Sequence, residues 1–293
     1  MEYTYTLIIP HKNIPKLLLR CINSVPERDD LQIIVVDDNS NPEILDFYYF
    51  KHLSRKNFRF IETKEGKGAG FARNVALGLA KSKWILFADA DDYFSSQINQ
   101  FLTDYKNSEA DIVYLPNKTI DATNNKPLNV DLKVSELIKE CNIKENNYDA
   151  LRYKSHAPWT KMVKLDLIKK YNIKFQEVPA SNDVWFSVQL GYHAKNIEVC
   201  PYCIYIRTVR QGSLQYSLKK ELLLSRINVG YKVNKFLKEI GKIEFYNETW
   251  GYFLDLRKIS WWLFLTKAPE YFYYTPNFIL KKHLSYYLKN KLI

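Results

Sequence analysis

Short apolar runs and amphipathic stretches alternate along the first 115 residues. Five runs rich in β-branched residues predict buried strands, at 4–9, 32–36, 58–62, 84–88 and 111–115. Apolar residues at helical spacing predict helices between them, over 13–24, 42–55, 71–81 and from about Ser95. Because strands and helices follow one another with short connections, the pattern predicts an α/β fold. Its sheet is mostly parallel, with helices on both faces.

The rest of the chain has a different pattern. Residues 117–150 are polar and predict an inserted or flexible segment, and globular patterning returns at 157–209. Beyond these, helices are predicted over 217–240, 243–265 and 276–291. We therefore expect one domain over 1–215, with halves at 1–115 and 150–215, and a helical C-terminal region over 216–293.

Acidic residues follow two of the predicted strands. Asp37 and Asp38 end the second strand, and Asp89 to Asp92 follow the fourth. Ligands of doubly wound sheets bind beyond the carboxyl ends of the strands. Carboxylates at 89 and 91 can reach one Mg²⁺ or Mn²⁺ ion. In the structural alternative, Asp92 caps the helix near Ser95, and Asp37 and Asp38 form a turn.

A glycine-rich loop, 66–70, precedes the third helix, and Arg73 lies in that helix's first turn. Backbone N–H groups at such a place favour an anion. The spacing does not match a P-loop. A dinucleotide fingerprint is also excluded, because the first strand ends in Pro10-His11 without a glycine.

The composition points to an anionic partner, because the formal net charge is +11 and aromatic residues reach 15%. The basic residues are dispersed and no RNA-module motif is present, so we expect no nucleic-acid partner. Residues 250–293 combine seven basic and two acidic residues with many Trp and Tyr. This mixture fits a membrane surface, or aromatic packing of the helices onto the rest of the chain.

The four cysteines and the N-terminal residues give information about the cellular compartment of the protein. Cys200 and Cys203 form an isolated CxxC, which we interpret as a β-hairpin turn with two buried thiols; a redox or half-zinc site is the alternative. The chain contains no run of about 18 apolar residues, and its first residues lack the features of a secretory leader. We therefore expect a cytoplasmic protein, peripheral on the inner face of the membrane.

Three sequence blocks together suggest a family. TLIIPHKN, QIIVVDDNSNPE and KGAGFARNVALGLAKSKWILFADADD, within 4–115, resemble the nucleotide-binding half of the family 2 glycosyltransferases of GT-A fold. APWTKMVKLDLIKKYNIKFQE, SNDVWFSVQL and CIYIRTVRQGSL resemble the second half more loosely. The resemblance implies a Rossmann-like, mostly parallel sheet.

The resemblance also implies roles for individual residues. On the donor side Asp38 contacts the base, expected to be uracil, Asp89 the ribose, and Asp91 with Asp89 the metal. The other expected nucleotide-binding residues are Pro10, His11, Gly68, Arg73, Lys161, Arg207 and Arg210. Asp183 matches the catalytic base, but Asn182 stands before it where the family usually has Glu. A helix N-cap is the alternative role for Asp183.

The implied function is inverting transfer of a hexose or N-acetylhexosamine. The donor is a nucleotide-diphosphate sugar, expected to be a UDP-sugar, and the acceptor is a saccharide or lipid-linked saccharide. Mn²⁺ or Mg²⁺ is the expected cofactor. The alternative is a catalytically degenerate protein that binds sugar nucleotide or scaffolds a glycan-assembly complex.

Overall fold

A seven-stranded sheet forms the centre of the molecule in the computed structural model, which describes residues 3–128, 133–141, 145–210 and 218–281. The strand order is β3-β2-β1-β4-β8-β6-β9, and only β8 runs antiparallel to its neighbours. The strands are β1 Tyr3–His11, β2 Leu31–Asp38, β3 Phe58–Thr63, β4 Ser82–Phe87, β6 Ile112–Tyr114, β8 Lys161–Lys164 and β9 Ile197–Val199. The mostly parallel α/β sheet expected from the sequence is confirmed.

Helices cover both faces of this sheet, as the alternating pattern predicts. Successive residues of β1 point to opposite sides, so Leu7 and Ile9 lie in one core and Ile8 in the other. The first core is closed by α1 Pro15–Asn23, α2 Phe47–Lys51 and α4 Ile98–Asp104. The second is closed by α3 Ala69–Leu79, α5 Lys133–Glu140, α6 Asp149–Lys154, α7 Leu165–Lys170 and α8 Val184–His193.

A small second sheet lies beside the first. It consists of β5 Tyr93–Phe94, β10 Tyr205–Val209 and β7 Asn117–Asp121 in the order β5-β10-β7. β7 pairs with β10 along five residues, and Val134 and Leu137 of α5 are buried. Much of the segment 117–150, which its polarity predicted to be inserted or flexible, therefore packs into the fold.

Two other local predictions are wrong. The helix predicted from Pro42 begins only at Phe47, where the Asp46 side chain accepts a hydrogen bond from the Tyr49 backbone N–H. The predicted CxxC hairpin is absent from the described residues, since β9 and β10 belong to different sheets. Cys200 is buried, Cys203 is half-buried, and both are free thiols.

Within the described residues, the second sheet is followed by α9 Lys220–Glu239, α10 Trp250–Ile259 and α11 Trp261–Tyr274, and residues 277–281 are again helical. The predicted helix 243–265 is divided, because the backbone is extended at Ser260, whose hydroxyl caps the first turn of α11. The helix predicted over 276–291 lies mostly outside the described residues. None of the described helices combines the length and the hydrophobicity that a membrane-spanning helix requires.

Candidate functional site

The turn after β1 is held by a buried histidine. The Nδ1 of His11 lies 2.7 Å from Asp37 Oδ1, and its Nε2 accepts a hydrogen bond from the Ile14 backbone N–H. Burial raises the pKa of Asp37, but hydrogen bonds from His11 and Ser40 outweigh it and hold that pKa below its usual value. His11 was expected to line the nucleotide pocket. Both of its ring nitrogens are instead engaged inside the protein, and Pro10 is buried in β1.

Asp38 joins the end of β2 to the glycine loop. Its Oδ2 accepts a hydrogen bond from the Gly68 backbone N–H at 2.9 Å, and Lys12 Nζ lies 3.5 Å away. Gly68 has a φ of 91°, a value that a residue with a side chain rarely adopts. The other oxygen, Oδ1, is buried and has no hydrogen-bond partner among the described residues. A buried acceptor in this state is costly, so Asp38 is ready to accept from a ligand N–H.

The three aspartates after β4 have different surroundings. Asp92 is buried and accepts hydrogen bonds from the Tyr205 hydroxyl and the Thr208 backbone N–H, both at 2.7 Å. It thereby ties the end of β4 to β10 and does not cap α4, whose N-cap residue is Gln97. The carboxylates of Asp89 and Asp91 are partly exposed, at 37% and 29%.

An arginine pairs with each of these exposed carboxylates. Arg73 donates to Asp89 Oδ1 at 2.6 Å, and Arg210 Nε lies 3.4 Å from Asp91 Oδ2. Burial and the neighbouring charge of Asp89 raise the pKa of Asp91, although Arg210 opposes the shift. A cation beside the two carboxylates would relieve this repulsion.

The carboxylate pair fits a metal that is shared with a substrate. Among the described residues, no group of three or more His, Cys, Asp or Glu side chains could hold a metal ion by itself. Mg²⁺ is often bound by one or two carboxylates together with substrate phosphates. Asp89 and Asp91 supply such a partial set of hard oxygen ligands.

Arg73 connects this acidic turn to the start of α8. Its Nη1 donates to Asn182 Oδ1 at 2.9 Å, while its Nη2 is bound to Asp89, and its guanidinium lies over the Phe175 ring. Arg73 is among the expected nucleotide-binding residues, and the structure shows it as a bridge within the protein. Asn182, which departs from the family pattern, is the second partner of this bridge.

Close packing at a glycine brings α3 against the loop before α8. A Cβ at Gly70 would lie 2.2 Å from the Gln176 carbonyl oxygen and 3.0 Å from Asn182 Cβ. Backbone atoms cannot give way as a flexible side chain can, so this helix and loop approach closely only because residue 70 has no side chain.

We therefore expect Gly70→Ala to destabilise the protein by about 1–3 kcal/mol through overpacking. Thermal unfolding followed by circular dichroism measures this change. Gly78→Ala is the matched control, because a Cβ at Gly78 of the same helix meets no atom within 4 Å. Equal melting temperatures for the two variants would contradict the packing argument.

Asp183 lies at the N-terminus of α8. Its side chain makes no capping hydrogen bond to the helix, in contrast to the alternative role considered from the sequence. Burial raises the pKa of Asp183, and the nearby positive charge of Arg73 opposes this shift. A carboxylate that has a raised pKa and makes no capping hydrogen bond to its helix is suited to accept a proton.

Lys161 does not reach the site directly. Its ammonium is fully buried and donates to the carbonyls of Ser155 and Ala157 and to the Ser187 hydroxyl, at 2.9, 2.8 and 3.2 Å. Burial lowers the pKa of Lys161 to about 7. Lys161 is among the expected nucleotide-binding residues, but its hydrogen bonds give it a positioning role, because they hold the 155–157 loop that lines the cavity.

One cavity of about 390 Å³ brings several of the predicted residues together. The predicted residues that line it are Asp89, Asp91, Asp183 and Arg207. Arg73 and Arg210 adjoin it through the two aspartates, whereas Asp38 and Gly68 form the separate cluster at the end of β2. The cavity thus combines the two carboxylates of Asp89 and Asp91, the Asp183 carboxylate with its raised pKa, and the positive charge of Arg207.

Aromatic residues that we did not single out support this cavity. Trp159 lines it and stacks on Tyr205 with a ring separation of 4.9 Å. Tyr205 accepts a hydrogen bond from the Asp89 backbone N–H and donates to Asp92. The sequence of β10 does not mark this arrangement, because the contact depends on which strand lies beside the acidic turn.

Solved structures share this fold. Staphylococcus aureus TarS 1–349 in complex with UDP-GlcNAc superposes with a TM-score of 0.61 at 22% identity, over 80% of this chain and 65% of that one. The mannosyltransferase PcManGT from Pyrobaculum calidifontis, in complex with GDP-Man and Mn²⁺, gives a TM-score of 0.52 at 15% identity, over 82% and 64%. At these identities the likeness concerns the fold alone.

Sequence comparison gives the family. The poly(ribitol-phosphate) β-glucosyltransferase of Bacillus spizizenii is 28% identical over 71% of this chain and 32% of its own length. The poly(ribitol-phosphate) β-N-acetylglucosaminyltransferase TarS of Staphylococcus aureus is 24% identical over 71% and 36%. This chain spans about a third of the length of these curated relatives. The profile of glycosyl transferase family 2 matches residues 6–164, more than half of the chain, so the protein belongs to glycosyl transferase family 2.

Proposed function

We propose that this chain transfers a hexose or N-acetylhexosamine from a nucleotide-diphosphate sugar to a saccharide or lipid-linked saccharide. The observation that carries the proposal is the single cavity lined by Asp89, Asp91 and Asp183 at the carboxyl end of the sheet. The relatives named for transfer to poly(ribitol-phosphate) support a role in polysaccharide biosynthesis. Since such a role uses a nucleotide sugar, we place the protein in the cytoplasm.

We assign the nucleobase of the donor to the end of β2, where Asp38 lies. The unpartnered Oδ1 of Asp38 can accept from the N3–H of uracil, or from the corresponding N–H of guanine. The family resemblance favours uracil, and a solved fold neighbour holds UDP-GlcNAc. The proposed donor is therefore a UDP-sugar.

The diphosphate is assigned to the acidic turn with its cation. Asp91, with Asp89 beside it, would hold Mn²⁺ or Mg²⁺, and Asp89 would also contact the ribose. The metal would supply Lewis-acid stabilisation of the leaving diphosphate. Arg210, already beside Asp91, and Arg207 in the cavity wall add positive charge toward the same phosphates.

Asp183 is the proposed general base. It accepts the proton of the acceptor hydroxyl while that oxygen attacks the anomeric carbon from the face opposite the leaving diphosphate. The transfer therefore inverts the anomeric centre and needs no covalent intermediate. Asn182 accepts a hydrogen bond from Arg73 in the place of a carboxylate, so less negative charge surrounds the base.

The second candidate function is binding of a nucleotide sugar without transfer. It is favoured by Asn182, which stands where the family usually has Glu beside the catalytic base. The two candidates are separated by screening UDP-, GDP- and CMP-sugars with Mn²⁺ by thermal shift, followed by measuring UDP release with and without a saccharide acceptor. Stabilisation by UDP-sugars with acceptor-dependent release supports the transferase. Stabilisation without release supports the second candidate, and no stabilisation by any nucleotide sugar overturns both.

We expect Asp38→Ala to weaken binding of UDP by about 10–100-fold, because a charged hydrogen bond contributes about 1.5–3 kcal/mol. Isothermal titration calorimetry with UDP and Mn²⁺ measures the change. Asp46→Ala, in an exposed capping position at α2, provides a control with the same substitution. Unchanged UDP affinity in the Asp38 variant would contradict the proposal that Asp38 accepts a hydrogen bond from the uracil ring.

A further inference from the structure

The outward face of α11 is apolar along its whole length. At 3.6 residues per turn, six residues fall on this side of the helix: Trp261, Trp262, Leu265, Pro269, Phe272 and Tyr273. Their exposure is high, reaching 76% for Trp262 and 77% for Tyr273. The exposed side of a helix in water normally carries the charged residues, so this face differs from an ordinary protein surface.

The other side of α11 is already occupied. Tyr271 is fully buried, stacks on Phe253 of α10 and lies in one core cluster with residues of α9. The helix has two charged residues, Lys267 and Glu270, which pair with each other at 2.8 Å. Packing within the chain therefore explains the inward aromatics and leaves the outward ones unexplained.

Positive charge lies next to the apolar face. An apolar cavity of about 620 Å³ between α10 and α11 is lined by aromatic and aliphatic side chains together with Arg257 and Lys281. No acidic residue lines this cavity in the described part of the chain. The residue after Arg257, Lys258, is paired with Asp255 of the same helix at 2.7 Å. Aromatic side chains bordered by Lys and Arg are typical of the interface between a lipid bilayer and water.

We propose that the outward face of α11 docks onto the anionic surface of a lipid bilayer, with Trp261, Trp262, Phe272 and Tyr273 inserted at the level of the headgroups. Arg257 and Lys281 then meet the lipid phosphates. A second copy of the chain fits less well, because a symmetric contact would bring these like charges together. The docking surface is separate from the catalytic proposal, since none of its residues lines the cavity of Asp183.

The test is co-sedimentation of the full chain with vesicles of phosphatidylcholine and phosphatidylglycerol. We expect binding at low salt, and at least about tenfold weaker partitioning for the double variant Trp262→Ser, Tyr273→Ser, which loses two large apolar contacts. Lys281→Gln should reduce the preference for anionic over pure phosphatidylcholine vesicles. Tyr48→Ser is the matched control, because Tyr48 is 73% exposed on α2, far from α11 in the chain.

Three results would overturn the inference. The wild-type chain could fail to bind anionic vesicles, or the double variant could bind as tightly as wild type. Analytical ultracentrifugation could instead show a dimer that the double variant dissociates, which would make a second copy the occupant. Transfer to a water-soluble acceptor should be unchanged in the double variant, so failure of docking and failure of the catalytic proposal are distinguishable.

Discussion

Replacing Asp183 with Asn is expected to lower glycosyl transfer by about 10²–10⁴-fold, the usual contribution of a positioned general base. The amide has nearly the same shape as the carboxylate but cannot accept the proton. The side chain makes no capping hydrogen bond to α8, so the change removes no structural bond of the helix. We therefore expect normal binding of UDP with Mn²⁺, measured by calorimetry, beside a loss of transfer measured by UDP release.

The pH dependence gives a second readout for the same residue. Because burial raises the pKa of Asp183, the base loses its proton only at a higher pH than an ordinary aspartate. Transfer should therefore fall as the pH drops through this raised value, before exposed carboxylates titrate. Asp166→Asn is the matched control, an exposed aspartate in the first turn of α7. Near wild-type transfer by Asp183→Asn would eliminate Asp183 as the base.

The central strands β1, β2 and β4 were predictable because they are buried on both faces, which favours predominantly apolar runs. The edge strand β3 is only partly buried. β8 was not predictable by the same rule, since its four residues begin and end with lysine. Its antiparallel place between β4 and β6 depends on contacts distant in sequence.

The candidate site was predictable in its chemistry but not in its division of roles. The spacing of the residues after β4 predicts a cation site, which stays a prediction, and only the structure separates buried Asp92 from the partly exposed pair. His11 and Lys161 match the positions at which the family resemblance predicts nucleotide-binding residues. Their hydrogen bonds inside the protein, to Asp37 and to the 155–157 loop, come from tertiary packing and leave no local pattern.

Replacing Asp91 with Asn is expected to lower transfer by at least about 100-fold, because a metal acting as Lewis acid contributes several kcal/mol. The variant loses one of two carboxylates available for the cation, and its neutral amide is a weaker ligand for Mn²⁺. Nucleotide binding tests the metal without relying on turnover. UDP should stabilise the wild type in thermal shift more strongly with Mn²⁺ than without, and this difference should disappear in the variant.

Asp92→Asn is the informative comparison, because the two aspartates are adjacent in sequence and differ in their surroundings. Asp92 accepts hydrogen bonds from Tyr205 and Thr208 that join the two sheets, so its replacement should lower the melting temperature of the free protein. Asp91→Asn should leave that temperature nearly unchanged, since in the described part of the chain Asp91 Oδ2 pairs only with the half-exposed Arg210. If Asp91→Asn kept the Mn²⁺-dependent stabilisation by UDP, the metal would have to be held elsewhere. The assignment of the acidic turn would then fail, whatever the transfer rate.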